Sequence, residues 1–404
     1  MPTLYEADRH EPVTEVEWDA AVAQDCVAAI VRDAVARYSP LEKWPSHPLE
    51  SFAPDVRWNL YIGAAGAMWA LHHLASLGCQ IELPDFAADV ASLFGPNRAW
   101  IRDIKAPNEP HYTNGLLCGD VGILLVQARL NHLNGVAAQI AVAVDANQDN
   151  PVREFMWGSP GTALACLWLH DWTGEEIWAA KFRRDVELLW RRLEHCDAAG
   201  CDLWVQSLYG HEAPHLGAAH GFAGNAFPVI KGWHLLRPDE QSRWADRLAE
   251  SLRRTAIWGD GCANWPQSVG RHRPGRTALL VQHCHGAPGI VTCFAEFPDP
   301  AIDDLLLAAG EMTWRAGPLC KGSGLCHGTA GNGYAFLKLF RRTGDRRWLE
   351  RARRFAMHAI GQYERDLQAY GQARYTLWTG DLGLAIYLSN CMAATDRFPT
   401  MDVF

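Results

Sequence analysis

The sequence predicts an all-α fold in which two rings of helices, one inside the other, close on themselves. Three observations lead to this prediction: a recurring Gly-x-x-Gly element, an apolar segment after each copy, and a longer amphipathic segment between copies. Runs that alternate apolar and polar residues are sparse, so strands are not expected to build the core. An open solenoid of helix pairs would show the same pattern, and composition alone does not exclude it.

The Gly-x-x-Gly element occurs seven times in the 404 residues, which marks a repeat architecture, whereas a single copy would carry no information. Aromatic, cysteine or histidine residues usually stand just before the glycines. Glycine suits these positions because it lets neighbouring helices approach closely. The first glycines of the copies are Gly63, Gly119, Gly158, Gly221, Gly286, Gly328 and Gly380.

Each copy leads into an apolar segment such as residues 67–74, which is hydrophobic nearly all round and fits a helix buried on both sides. The segments between copies, such as 240–254 and 346–363, carry one charged face and fit an outer ring. No Pro/Gly/Ser-rich linker separates the copies, so residues 1–404 are expected to form a single domain. The Gly-, Pro- and Arg-rich segment 259–276 is predicted to be a loop over the ring mouth.

Charge, apolar runs and cysteine content indicate which kinds of partner and which cellular compartment to expect. The formal net charge is −9 and there is no long basic run, which argues against nucleic acid or an anionic membrane as the main partner. The first residues show no secretory signal, and no run of about 18 apolar residues would span a membrane. Twelve cysteines in such a chain are expected to be buried, metal-bound or catalytic and not bridged, which predicts a cytoplasmic protein.

Two copies of the glycine element carry the residue types that zinc uses most, in Cys284-His285-Gly286 and Cys326-His327-Gly328. Three protein ligands and an open fourth position are typical of catalytic zinc. If Cys284, Cys326 and His327 converge, the fourth position would accept a substrate thiol. The alternative is two buried cysteines at packed helix starts, because free cysteine is often buried. Two matched glycine frames favour the metal.

A zinc-bound thiol becomes a thiolate at neutral pH and can add to an electron-poor alkene such as dehydroalanine or dehydrobutyrine. The resulting enolate needs a proton, and His220 stands in the same glycine frame as the zinc ligands. His220 is either this acid/base group or a helix-start histidine bonded to a backbone carbonyl. Glu154 is either a second acid/base group or a partner of a helix dipole. The residues expected to flank the site are His211, His215, His283 and His285.

Across nearly its whole length the sequence resembles the lanthionine synthetase C-like (LanC-like) family, closest to its stand-alone branch. The resemblance implies an α/α toroid of seven inner and seven outer helices, with zinc at one end of the central cavity. The segments that carry it are Leu117-Cys-Gly-Asp-Val-Gly122, Gly217-Ala-Ala-His-Gly-Phe-Ala-Gly224, Cys284-His-Gly-Ala-Pro-Gly289, Lys321-Gly-Ser-Gly-Leu-Cys-His-Gly328, Ala330-Gly-Asn-Gly-Tyr-Ala-Phe-Leu337 and Arg397-Phe-Pro399.

The same resemblance assigns roles to individual residues. The family's zinc ligands fall on Cys284, Cys326 and His327, its acid/base histidine on His220, and its acidic residue on Glu154. The stand-alone branch has a lysine ahead of the second zinc cysteine and an arginine upstream of the first. Lys321 matches that lysine, and Arg276 matches the arginine after a shift of one residue; both are predicted to bind glutathione. The family's common tryptophan before the first zinc cysteine is His283 here.

The resemblance implies zinc-dependent addition of a thiol, glutathione in the stand-alone branch, to dehydroamino acids of a peptide or protein, which forms a thioether. One alternative is an intramolecular lanthionine cyclase that acts on a dehydrated precursor peptide. Such a cyclase would need a partner enzyme, because no dehydratase domain is fused to the chain. The other alternative is a non-catalytic protein that binds zinc and glutathione, and turnover would distinguish it from an enzyme.

Overall fold

The computed structural model describes residues 3–50, 58–103, 113–131, 133, 135–208, 210–270 and 278–404. Most of these residues are helical, as the sequence predicts. In chain order the α-helices are α1 (Ala20–Ala36), α2 (Ala64–Ser76), α3 (Phe86–Asp89), α4 (Phe94–Asp103), α5 (Asp120–Leu130), α6 (Ala137–Ala146), α7 (Ser159–Thr173), α8 (Glu176–Arg191), α9 (Phe222–Lys231), α10 (Pro238–Thr255), α11 (Ala287–Phe294), α12 (Asp303–Ala316), α13 (Thr329–Thr343), α14 (Arg346–Tyr370) and α15 (Asp381–Ala393).

Seven helices begin directly after the first glycine of a Gly-x-x-Gly copy, and that glycine occupies the N-cap position each time. These inner helices are α2, α5, α7, α9, α11, α13 and α15. Most of their residues are buried on every side, which explains why the sequence shows an apolar segment and not an amphipathic stripe. The repeated glycine frame therefore marks the starts of the inner ring.

The second glycine of each copy sits where two chain segments approach too closely for a side chain. A Cβ on Gly331 would lie 1.7 Å from the carbonyl oxygen of Leu325, and the other second glycines face a carbonyl in the same way. Each of these glycines also packs against the neighbouring copy. Gly66 of the first copy would place its Cβ 3.1 Å from Leu377 of the last copy, so the two ends of the repeat are in contact.

Main-chain hydrogen bonds join the segments that precede the first glycines. The amide of Cys284 donates to the carbonyl of Cys326 at 3.0 Å, and the amide of Cys326 donates to the carbonyl of Trp378 at 2.8 Å. The amide of Trp378 donates in turn to the carbonyl of Tyr61 at 3.1 Å. This last bond runs from the seventh copy to the first. The ring is therefore closed, which confirms the toroid and excludes the open solenoid.

The outer ring consists of α1, α6, α8, α10, α12 and α14, with the short helices α3 and α4 in the corresponding place after α2. Helix α1 packs on α15, so the N-terminal helix completes the last pair. In α10 the buried side chains include Trp244, Leu248 and Leu252, which follow one another every four residues on one face. The outer helices are thus amphipathic, as predicted. Among the described residues, none of the helices combines the length and the apolar character needed to cross a bilayer.

The described strands form three antiparallel hairpins, each of two short strands, in the connections between helices. The hairpins pair β1 (Glu194–Cys196) with β2 (Cys201–Leu203), β3 (Gln206–Leu208) with β4 (His211–Ala213), and β5 (Ile257–Gly259) with β6 (Cys262–Asn264).

The predicted loop 259–276 is wrong in its first part, because this segment completes the hairpin of β5 and β6. Asp260 and Gly261 have φ angles of 50° and 74°, which suits a two-residue turn matched to the twist of the strands. Residues 271–277, which include Arg276, lie outside the described residues.

The C-terminal segment after α15 occupies the centre of the ring. Phe398 stacks on His283 with ring centroids 4.5 Å apart. Phe404 lies against Trp69 of α2 at 5.6 Å and Trp168 of α7 at 4.9 Å. Because these rings belong to different parts of the inner ring, the segment fills its interior and helps to hold the inner helices in place.

Candidate metal centre and acid/base pair

Cys284, Cys326 and His327 converge where α11 and α13 begin, and we call them the metal group. One donor atom from each residue lies within 4.8 Å of the others, and both cysteines are buried. Among the residues that the structure describes, this is the one cluster of three or more such donors. The frame explains the convergence, because each cysteine stands two residues before a first glycine and the two backbones are hydrogen-bonded.

The two thiols of the metal group are strongly coupled. The hydrogen bond from Cys326 lowers the pKa of Cys284, and the imidazoles of His285 and His327 lower it further against the effect of burial. The same hydrogen bond, together with burial, raises the pKa of Cys326. The amide Nε2 of Gln282 also donates to Sγ of Cys284 at 2.8 Å. Cys284 is therefore favoured as a thiolate, the form in which cysteine binds metals.

This donor set fits zinc. Two thiolates and an imidazole are the soft and intermediate ligands that zinc prefers, and three protein ligands leave the fourth tetrahedral position for a substrate. Burial of both sulfurs keeps competing water away, and the backbone bond between the two cysteine segments holds their spacing.

His220 and Glu154 form a second group at the same end of the ring. Nδ1 of His220 lies 2.9 Å from Oε2 of Glu154, and the Glu154 side chain is fully buried whereas that of His220 is 16% exposed. The amides of Met156 and Trp157 also donate to the Glu154 carboxylate, at 2.9 and 2.7 Å. The Glu154 side chain thus accepts two backbone hydrogen bonds and lies within hydrogen-bond distance of His220. Because Nδ1 of His220 faces Glu154, Nε2 is the ring nitrogen that points away from this side chain.

The electrostatic surroundings of His220 favour its protonated form. Burial lowers the pKa of His220, but the hydrogen bond and negative charge of Glu154, with a contribution from Cys284, raise it above the ordinary value of 6.5. The ring of His285, next to Cys284, lies 6.1 Å from the ring of His220. The charge of Cys284 in the metal group therefore acts on His220. The protonated form of His220, which can serve as an acid, is favoured.

The other residues that the sequence predicts to belong to the site lie in different surroundings. Lys321 is exposed, and its charge helps to lower the pKa of Cys326, against the larger effects of Cys284 and burial. Arg276 lies outside the described residues. His283, which was expected to flank the site, precedes Cys284 with its ring 1% exposed and stacked on Phe398 in the core. Burial lowers the pKa of His283 to about 4, so this ring is neutral.

Sequence reasoning overlooked Tyr61 and Gln282. The buried Tyr61 hydroxyl neighbours Cys326, which helps to raise the pKa of Tyr61, after the larger effect of burial. The frame contained the signal for Tyr61, since this residue stands two positions before Gly63, as the two cysteines stand before their glycines. No comparable signal marks Gln282, whose contact with Cys284 depends on the turn between them.

The chain is similar to known proteins over most of its length. The family model described as "Lanthionine synthetase C-like protein" matches residues 54–403. The "Glutathione S-transferase LANCL1" of Danio rerio is 31% identical over 318 residues, which cover 71% of this chain and 73% of that protein. The "LanC-like protein GCL1" of Arabidopsis thaliana is 30% identical over 213 residues, or 51% of this chain and 46% of that protein.

A solved structure of "Nisin cyclase" has the same fold. It superposes with a TM-score of 0.60 at 15% sequence identity, over 85% of this chain and 93% of that one. At this identity the likeness concerns the fold of the toroid.

Proposed function

Because the chain belongs to the lanthionine synthetase C-like family, we propose that it catalyses zinc-dependent addition of glutathione to dehydroalanine or dehydrobutyrine residues of a peptide or protein. The product is a thioether. The observation that carries this proposal is the meeting of two groups at one end of the ring. The metal group supplies a thiol-activating site, and the pair of His220 and Glu154 supplies an acid.

Zinc held by Cys284, Cys326 and His327 would lower the pKa of the substrate thiol, so that it reacts as a thiolate. Its sulfur forms a bond to the β-carbon of the dehydroamino acid, and the π electrons move toward the carbonyl oxygen. The imidazolium of His220 then delivers its Nε2 proton to the α-carbon, which completes the addition. The proton released from the thiol restores the imidazolium, so the reaction needs no oxidant or reductant.

Glu154 acts through His220. Its charge keeps the imidazole protonated, and its hydrogen bonds from two backbone amides hold the carboxylate still. A carboxylate that touched only a helix terminus would need neither contact with histidine nor complete burial. This pairing favours an enzyme over a protein that only binds zinc and glutathione, because binding alone does not require a positioned acid.

Glutathione is the thiol that the relatives favour, since one of them is named a glutathione S-transferase. Glutathione carries carboxylates, and two features of this end suit them: the exposed ammonium of Lys321 and the positive N-terminal ends of the inner helices. Arg276 is proposed to assist. An intramolecular cyclase would use the same acid and the same metal group but would take its thiol from the peptide.

A single assay tests these assignments. A dehydroalanine peptide is incubated with glutathione near neutral pH and the adduct is followed by mass spectrometry, with enzyme, with chelator, and after zinc is restored. We expect adduct formation that chelator abolishes and zinc restores. A second peptide, which carries both cysteine and dehydroalanine, is tested without glutathione. Cyclisation of this peptide without any adduct on the first would identify a cyclase and overturn the proposal.

The matched variant is His220→Asn, which leaves every zinc ligand in place. Its zinc content should equal that of the parent protein, while the enzymatic rate falls by about 10²–10⁴-fold, the usual contribution of a positioned acid or base. The product should also change from one α-carbon configuration to a mixture, because solvent then delivers the proton. A variant that keeps both the rate and the single isomer would show that His220 is structural.

A further inference from the structure

The hairpin of β1 and β2 brings together two cysteines that neither the metal group nor the catalytic pair uses. Cys196 and Cys201 are direct partners in the antiparallel register and close the hairpin next to its turn. Both are free thiols. The sequence predicts unbridged cysteines, and the structure places these two thiols opposite each other.

We propose that Cys196 and Cys201 form a reversible dithiol–disulfide site whose oxidant is a low-molecular-weight disulfide of the glutathione type. Directly opposed residues of an antiparallel pair have Cα atoms about 4.5–5.5 Å apart and side chains on the same face of the hairpin. A disulfide needs a Cα separation of about 4.4–6.8 Å. The Cα spacing of this register therefore suits a disulfide.

The turn holds the two cysteines in this register. The carbonyl of Cys196 accepts hydrogen bonds from the amides of Ala199 and Gly200, at 3.0 and 2.8 Å. Gly200 takes a φ of 64°, which suits a residue without a side chain. On the far side of the pair, the carbonyl of Asp202 accepts a hydrogen bond from Ser251 of α10 at 2.7 Å. Both ends of the pair are thus fixed by contacts that the bond would not disturb.

The two thiols differ in exposure, which divides their roles. Cys196 is half-buried, whereas Cys201 is 2% exposed, and burial raises the pKa of the Cys201 thiol. Cys196 is therefore the thiol that a soluble disulfide can reach. Its thiolate attacks one sulfur of oxidised glutathione, which breaks the S–S bond and releases one glutathione as a thiolate.

Cys201 completes the exchange. It loses its proton to solvent, attacks the sulfur of Cys196 in the mixed disulfide and expels the second glutathione. Two protein thiols are oxidised and one small disulfide is reduced to two thiols, so the electrons balance. Because Cys201 lies beside the mixed disulfide, its effective concentration exceeds that of free glutathione, and the adduct should be short-lived.

Peptide mapping tests this site in the full-length, zinc-loaded protein. Trypsin should release residues 193–231, a segment that contains Cys196 and Cys201 and no other cysteine. After treatment with oxidised glutathione and alkylation of the remaining thiols, this peptide should have lost two hydrogens and carry no glutathione. The exposed Cys320 has no such partner strand and should instead gain one glutathione. A 193–231 peptide that keeps both thiols while Cys320 is modified would overturn the proposal.

Two variants separate the roles. In Cys201→Ser the mixed disulfide on Cys196 should accumulate, because nothing resolves it. In Cys196→Ser the buried Cys201 should stay unmodified. If Cys201→Ser fails to fold, peptide mapping of the original protein and of Cys196→Ser still shows whether the two cysteines form a disulfide. Equal glutathione adducts in the original chain and in Cys201→Ser would show that the cysteines do not react as a pair. Zinc content, measured in parallel, shows that Cys284 and Cys326 have not reacted.

Discussion

Two clusters of ionisable side chains with buried members lie within the ring, and they differ in whether the chain itself supplies the counter-charges. The lysine cluster (Lys231, Lys338, Glu296, Asp396 and Asp402) lies near the C-terminal ends of α9, α11 and α13. Lys338 is 1% exposed, and its Nζ lies 2.8 Å from Asp402 and 3.2 Å from Asp396. Burial would lower the pKa of Lys338, but the neighbouring carboxylates raise it, so the lysine stays charged.

The metal group has no comparable partner among the residues that the structure describes. Its thiols are buried like Lys338, but their neighbours are other electron-pair donors, and the exposed Lys321 acts on Cys326 only through its charge at longer range. A cluster in which carboxylates surround each buried cation is satisfied within the chain, whereas a buried cluster of electron-pair donors calls for a cation from outside. Burial alone therefore does not mark a functional site, whereas buried donors without a cation beside them do.

The largest expected effect comes from removing a donor of the metal group. Cys326→Ala should lose most of the roughly one zinc per chain, because two remaining ligands bind zinc weakly. Thiol addition should then fall to the spontaneous background. Zinc is measured by elemental analysis of the purified protein, and the rate by the adduct assay.

Cys293→Ala is the matched control, since Cys293 is a buried thiol on α11 outside the metal group. It should keep its zinc. Equal zinc contents in the two variants would remove the distinction drawn between the clusters.

The second prediction concerns the lysine cluster. Lys338→Met keeps the length of the side chain but leaves Asp402 and Asp396 with less positive charge nearby. Breaking a buried ion pair on one side costs about 3–5 kcal/mol, so the free energy of unfolding should fall by that amount in denaturant titrations. Zinc per folded chain should not change. Loss of zinc without loss of stability would mean that the lysine cluster serves the metal site and not the scaffold.

Features of the fold and the site could be predicted from the sequence where they depend on a short repeated pattern, and not where they depend on contacts between distant segments. The ring was predictable because every inner helix starts at the same short pattern, which is visible in a few adjacent residues. The convergence of Cys284 and Cys326 followed from that pattern too, since equivalent positions in a closed repeat meet at one end. The proximity of Tyr61 to Cys326 could have been predicted in the same way, because both residues stand two positions before the first glycine of a copy.

Other features depend on contacts that no repeat encodes. Lys338 interrupts an apolar helix, and its partners Asp396 and Asp402 lie in the C-terminal segment, which does not resemble the repeats. Glu154 and His220 are 66 positions apart, so residue spacing could not reveal their hydrogen bond; the family resemblance named both residues but not their contact. The orientation of His283 toward Phe398 was unpredictable because it depends on where the C-terminal segment packs.

A smaller effect is expected at Glu154. In Glu154→Gln the negative charge beside His220 is gone, so burial prevails and the pKa of His220 falls. The imidazolium donates the proton, so the alkaline limb of the pH–rate profile should move to lower pH. On that limb the rate at a fixed pH should fall by about tenfold if the pKa of His220 drops by one. Rates measured across the neutral pH range for both proteins give the two profiles.

The raised pKa of His220 also makes the stability of the folded protein depend on pH. A raised histidine pKa stabilises the folded state fully below the unfolded value of 6.5, and this contribution is lost as pH rises through the folded pKa. Glu154→Gln should reverse this dependence, because burial then holds the pKa of His220 below the unfolded value and protonation at lower pH disfavours the folded state. In a His220→Asn background the same change should leave the remaining rate unaltered; a further loss would show that Glu154 acts independently of His220.

The smallest effect is expected at Lys231, the second cation of the lysine cluster. Its side chain is 21% exposed, and its Nζ lies 2.8 Å from the half-exposed Glu296 and 3.2 Å from Asp402. Water screens such a pair, so Lys231→Met should lower the free energy of unfolding by no more than about 1 kcal/mol. Asp402 keeps its shorter bond to Lys338 in this variant.

The double variant Lys231→Met/Lys338→Met tests whether the two lysines share one counter-charge. Each single change leaves Asp402 one lysine, but the double change leaves this buried carboxylate without either of them. The loss of stability should therefore exceed the sum of the single losses, by roughly 0.5–3 kcal/mol as for groups that share a partner. Denaturant titrations of the four proteins at one pH give this coupling. Simple additivity would mean that the two lysines do not balance one shared charge, and that the cluster is a set of separate ion pairs.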